Sequence, residues 1–231
     1  MRLTSLIALL GTLAACQAQS QPARPANPPG LTVIELYQSQ GCSSCPPALA
    51  VLDVEANRAD VIALNFAVTY WDQLGWKDRF AKPAFTQRQW DYSHAARRGN
   101  VSTPQLIVNG GRAIVGSNEA QVNQAIAQNR LASQPAIAAQ GATLAIAAQA
   151  SLSGTVWIVD YDPRRIPVPI AAGENGGRTL IHRNVVRALT PVGEYRGLVL
   201  KAPLPPRVAG LERVVLIQNG KGGPIVAARR I

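Results

Sequence analysis

The sequence predicts an α/β domain with the element order βαβαββα, followed by a smaller, all-β, sandwich-like module. Three observations carry that prediction. Two strand-length apolar runs, LTVIELYQ (31–38) and DVIALNFAV (60–68), flank a helix-forming stretch, the pattern of a right-handed parallel βαβ unit. Two further short runs meet at Asn109-Gly110-Gly111, a strong hairpin signal, with a helical stretch behind them. After Ala142 the texture changes to short β-rich runs split by Gly and Pro, as in a sandwich or a strand layer packed on the first domain.

The chain opens with MRLTSLIALLGTLAAC. One early positive charge and a short apolar run have the form of a secretory signal rather than a membrane span. Leu13-Ala14-Ala15-Cys16 resembles the lipobox of bacterial lipoproteins, which implies cleavage before Cys16 (residues 1–16 as signal) and a lipid on its sulfur. An ordinary cleavage site is the alternative. Residues 17–30, rich in Pro, Ala and Gln, read as a disordered tether. By the same resemblance, Gln17 after the cysteine implies sorting to the outer membrane of the cell envelope, with the body facing the periplasm.

The first domain is expected over 31–135. Pro46 and Pro47 open a helix in the first turn, where a missing N–H costs little, and it continues to about Arg58. The segment 70–92 holds more than half of the aromatic residues and reads either as the wall of a shallow substrate groove beside Cys42 or as core filling between the domains. A helix is expected from Ala84 to about Arg98. The Asn109 hairpin follows, then a helix over 119–131 capped by Ser117 or Asn118. The order is parallel first and antiparallel last, which is the thioredoxin arrangement. Residues 133–142 read as a boundary, and 142–231 as the β-rich second domain. Charge divides unevenly: residues 17–141 carry 10 Lys+Arg against 8 Asp+Glu, and 142–231 carry 12 against 5. A basic second half suits lipid head groups or acidic glycans, or is a solvated face. With no nucleic-acid motif in the chain, no nucleic-acid partner is expected.

Cys42-Ser43-Ser44-Cys45 falls where the first strand passes into the first helix. A helix start presents unpaired N–H groups and a partial positive charge, which favour a thiolate, and the thiolate is the species that attacks a disulfide. The spacing lets the second sulfur resolve a mixed disulfide within one chain. Cys42 is expected to be the more exposed nucleophile and Cys45 the resolving thiol. A static staple is a weaker use, since so short a loop gains only about 2 kcal/mol. A structural zinc site needs about four ligands, and only His94 and His182 remain to join the pair. A Cys₂His copper site using His94 stays open as an alternative, as does a solvated helix face for His94.

Three further candidates surround the pair. Thr103-Pro104 precedes the hairpin strand, where thioredoxin-like proteins place a cis-proline facing the cysteines. Glu35, seven residues before Cys42, is read either as a buried proton relay or as a solvent-facing acid. Residues 173–186, GENGGRTLIHRNVV, read as a glycine-turned hairpin or as a site, with the hairpin favoured.

The blocks VIELYQSQGCSSCPPA, TYWDQLGWKDRFAKPAFTQRQ, STPQLIVNGG and GENGGRTLIHRNVVR resemble, in that order, secreted bacterial proteins grouped as domain of unknown function 1223. The resemblance covers about 31–231 and implies a thioredoxin-like fold without fixing an activity. The chain lacks the Trp before the first cysteine and the Gly-Pro between the pair that true thioredoxins have. The expected function is an envelope thiol–disulfide oxidoreductase with no cofactor beyond the Cys42–Cys45 disulfide. Its expected partners are envelope protein thiols and disulfides, a redox partner and, through Cys16, the membrane. The alternative is a binding module, either a copper carrier or a static disulfide, whose basic β domain recognises an envelope component.

Overall fold

The computed structural model describes residues 30–132 and 134–231. The expected signal, the anchor at Cys16 and the tether up to residue 29 lie outside them. The first half runs β1 (Thr32–Gln38), α1 (Pro46–Glu55), β2 (Val61–Ala67), α2 (Pro83–Ala95), β3 (Gln105–Val108), β4 (Arg112–Ile114) and α3 (Glu119–Gln128), with a short 3₁₀ turn at Asp72–Leu74. This is the element order read from the sequence. β1 pairs parallel with β2 and antiparallel with β3, which turns at Asn109 into β4. The Asn118 side chain accepts the Gln121 N–H at 2.9 Å and caps α3.

The separate sandwich-like module does not form. The second half contributes β5 (Ile137–Gln140), β6 (Thr143–Ile146), β7 (Gly154–Asp162), β8 (Ile166–Pro169), β9 (Thr179–His182), β10 (Val185–Tyr195), β11 (Leu200–Pro203), β12 (Glu212–Gln218) and β13 (Ile225–Arg230). Four of these extend the first sheet, giving eight strands in the order β13-β12-β7-β10-β2-β1-β3-β4. The fold is therefore one mixed α/β sheet rather than a thioredoxin-like domain joined to a β module. The seam is β10 on β2, parallel, with Val185 opposite Asn65. Asn65 N–H donates to Asn184 O at 3.0 Å and Asn184 Nδ2 donates to Ala63 O at 2.8 Å. Residues 137–140, inside the expected boundary, form β5 of a small β11-β6-β5 sheet that covers part of the large one.

The physical reason lies in burial. Over Ile158–Asp162 of β7 and Arg213–Gln218 of β12 every residue is buried, on both faces, as for strands covered on each side. One core cluster joins Val33, Tyr37, Phe66, Phe85 and Tyr92 of the first half to Val159, Val186, Val214 and Leu216 of the second. On the opposite face, Leu49 and Leu52 of α1 and Val122 and Ile126 of α3 pack against Ile34, Leu36 and Val108. Among the described residues, no helix is long and apolar enough to cross a membrane.

Candidate functional site

Cys42 and Cys45 are joined by a disulfide, with Cα atoms 5.5 Å apart. Cys45 is the N-cap of α1, and Cys42 lies in the turn between β1 and the helix. The turn closes on itself: Cys42 N–H donates to Ser39 O at 3.1 Å and Cys45 N–H to Cys42 O at 3.2 Å. Ser44 Oγ lies 3.3 Å from Cys42 Sγ and donates to Thr103 O at 3.4 Å. The Thr103–Pro104 bond is cis, as read from the sequence, and this segment sits beside the cysteine turn.

Two walls come from the aromatic segment. Trp71 Nε1 donates to Thr103 Oγ1 at 2.7 Å, and Trp76 Nε1 to Gln40 Oε1 at 2.9 Å. The Asp78 carboxylate accepts the Gln40 N–H at 2.9 Å and the Phe80 N–H at 2.8 Å. Phe85 and Tyr92, from the same aromatic-rich stretch, fill the core instead.

The third wall is the tip of the β8–β9 hairpin. The hairpin reading of the glycine-rich block holds, since Ile170 N–H bonds to Arg178 O at 2.9 Å and Gly177 N–H to Ile170 O at 2.8 Å. Gly173 has φ +73°, and a Cβ there would meet Trp76 Cβ at 3.2 Å, so the tip packs closely on the aromatic wall. Asn175 Nδ2 donates to Gln40 O at 2.9 Å and to Cys42 O at 2.8 Å. Glu174 Oε2 accepts the Ser43 N–H at 3.0 Å, and the Ser43 hydroxyl together with that N–H holds its carboxyl below the usual range. Cys42 is consequently not the exposed thiol expected from the sequence; both cysteines have zero exposure. Trp71 and Trp76 belong to the segment read as a wall, whereas the individual contacts of Asn175, Glu174, Asp78 and Ser44 are not anticipated by the sequence. The block that holds Asn175 and Glu174 reads as a hairpin or a site, with the hairpin favoured, and nothing local announces a contact 133 positions away.

Glu35 is not brought to the cysteines. Along β1 it shares a face with Val33 and Tyr37, whereas α1 lies over Ile34 and Leu36. Its carboxylate is fully buried and accepts from Arg88 Nη2 at 2.8 Å and from Tyr37 Oη at 3.1 Å. The geometry makes it an ion-pair partner rather than a proton relay or a solvent-facing acid. Burial beside Glu35 pushes the Tyr37 and Tyr92 hydroxyls well above their ordinary value. His94 is exposed beside Trp90, with ring centroids 5.5 Å apart, and forms no three-ligand group with the cysteines.

Two titrating groups near the hairpin carry opposite signs. Burial, with Arg79 adding to it, lowers His182 from 6.5 to about 4. The unfolded chain takes up that proton first, so the His182 contribution is present above about 6.5 and lost as pH falls toward 4. Burial raises Asp78 from 3.8 to about 6, so its contribution is full below 3.8 and lost as pH rises through 6. We expect His182→Phe, whose ring fits edge-on to Phe80 as the imidazole does, to remove an acid-induced loss of about 3 kcal/mol. Urea midpoints at pH 7 and pH 4 check this, and an equal loss in both proteins refutes it.

A family model described as Protein of unknown function (DUF1223) matches residues 33–218. No curated protein matches the chain. Among solved structures, a protein from Agrobacterium tumefaciens is similar at 28% identity, with a TM-score of 0.76 over 89% of this chain and 96% of that one. HBP35 of Porphyromonas gingivalis is similar in fold, at 12% identity and a TM-score of 0.58 over 88% of this chain and 75% of that one.

Proposed function

The chain belongs to the family described as Protein of unknown function (DUF1223), and for this member we propose thiol–disulfide exchange with protein clients at Cys42–Cys45. One placement carries the reading: a Cys-x-x-Cys disulfide where β1 passes into α1, with Thr103–Pro104 beside it. A structural staple has no need of that position, and a short loop is stabilised little by its closure.

Starting from the disulfide, a client thiolate attacks Cys42 Sγ. The Cys42–Cys45 bond breaks, its electron pair leaves on Cys45, and Cys45 takes a proton. A second client thiol then attacks the mixed disulfide. The client dithiol becomes a disulfide, and the Cys42–Cys45 pair becomes a dithiol. Starting from the dithiol, the same steps run in reverse and reduce a client disulfide. In either direction the Ser44 hydroxyl, 3.3 Å from Cys42 Sγ, turns its single proton from Thr103 O to the sulfur when the sulfur carries charge.

The test is turbidimetric reduction of insulin by dithiothreitol. The chain should accelerate precipitation, and Cys42→Ser should return the rate to that of dithiothreitol alone. Equal rates with and without the wild-type chain would overturn the reading.

A further inference from the structure

The hairpin tip binds the cysteine turn with the kind of hydrogen bonds that one polypeptide makes to another. On the turn the bonding groups are main-chain: the carbonyls of Gln40 and Cys42 and the N–H of Ser43. On the tip they are a carboxamide, Asn175, and a carboxylate, Glu174. A carboxamide is the chemical group of the peptide bond, and it donates here as a peptide N–H would. The carboxylate accepts as a peptide carbonyl would. An extended chain laid along residues 40–43 meets the same acceptors and the same donor.

Two facts argue that this contact is releasable. Of residues 171–179 only Asn175 is buried, so the tip is held by one buried side chain, with Glu174 bonding to Ser43 from an exposed position. While it is seated no attack can occur, because both cysteines are fully covered and exchange requires a sulfur to reach a sulfur.

We propose that the β8–β9 tip is a built-in occupant of the client site, standing where an extended polypeptide segment pairs with residues 40–43 once the tip lifts. The proposal rests on the thiol–disulfide reading of the site. Arg178 indicates which segments fit best. Its Nη1 donates to Asn175 Oδ1 at 2.8 Å. It also lines a cavity of about 280 Å³ with Pro46, Leu49, Asp53, Arg165 and Ile181, opening at the first turn of α1. An acidic client side chain in this cavity is drawn to the guanidinium and competes with Asn175 for it. The preferred partner is an extended chain with an Asp or Glu near its cysteine.

The experiment follows reduction of Cys42–Cys45 by dithiothreitol in the full chain, read by mass after alkylation. Asn175→Ala should accelerate reduction roughly tenfold, and Glu174→Ala, at an exposed position with less effect on folding, about threefold. A cysteine-free peptide of alternating Asp and Ala should slow reduction of Asn175→Ala again, and a Lys/Ala peptide should not. Unchanged rates in both variants overturn the proposal. Accelerated rates without protection by the acidic peptide also overturn it, because the tip is then only a cover. These rates do not depend on catalysis, so inactivity toward insulin would sink the enzymatic reading separately.

Discussion

Cys45→Ser should accumulate mixed disulfides with proteins that bring a disulfide, the Cys42 thiolate attacking it and one client sulfur leaving as a thiol, while Cys42→Ser should give at least about tenfold fewer. The asymmetry comes from position. Cys42 sits in the turn, with its sulfur beside Ser44 and its carbonyl under the hairpin tip. Cys45 caps α1, whose Ala48 and Leu49 are buried against the sheet. Lifting the tip uncovers the turn and leaves the helix packed. Without Cys45 a mixed disulfide at Cys42 has no internal attacker, so it persists until an outside thiol arrives. Non-reducing gels read the adducts, and their masses identify the clients. Equal trapping by both variants would overturn the assignment of Cys42 as the attacking sulfur. If neither variant traps and the wild-type pair resists every reductant, the disulfide is static.

Arg88→Ala is expected to cost about 3–5 kcal/mol of folding stability, a large share of the roughly 5–15 kcal/mol that a folded domain has. The guanidinium is buried and satisfies three side chains. It donates to Glu35 through Nε and Nη2, to Gln218 Oε1 at 2.8 Å and to Tyr92 Oη at 2.9 Å. Removing it leaves the Glu35 carboxylate without a counter-charge in the core. Because Arg88 lies on α2 and Gln218 on β12, the loss should appear as one lowered urea midpoint for the whole chain. The double variant Arg88→Met/Glu35→Gln should recover most of it, since it buries no unpaired charge. A loss below about 1 kcal/mol for Arg88→Ala would show that the pair contributes little.

The first half was legible because its signals are local. Period and length gave β1 and β2, the paired prolines gave the start of α1, and Asn109-Gly110 gave the β3–β4 turn. The cysteines and Thr103-Pro104 could be placed from that order alone. The second half was legible as strands but not as topology. TVWIVDY and ERVVLIQ are nearly continuous apolar runs rather than alternations. That pattern belongs to strands covered on both faces, not to a sandwich with one wet face, and it was the available signal for a single large sheet. Glu35 was misread because strand alternation was not followed through: Ile34 and Leu36 point at α1, so Glu35 cannot. Asn175 and Glu174 were not legible, because their partners are main-chain groups more than 130 residues away.

That separation also fixes an order of events in time. A chain made from its N-terminus completes β1, the cysteine turn and α1 while residues 171–178 do not yet exist. β2 then waits for β10 to cover its open edge, a pairing between Asn65 and Val185 of the long-range kind that slows folding. During that interval the thiols of Cys42 and Cys45 stand open to whatever oxidant is present, with no tip over them. Until Asn175 seats, the pair therefore exchanges freely with whatever redox partner the surroundings supply, and afterwards exchange proceeds only through lifting of the tip.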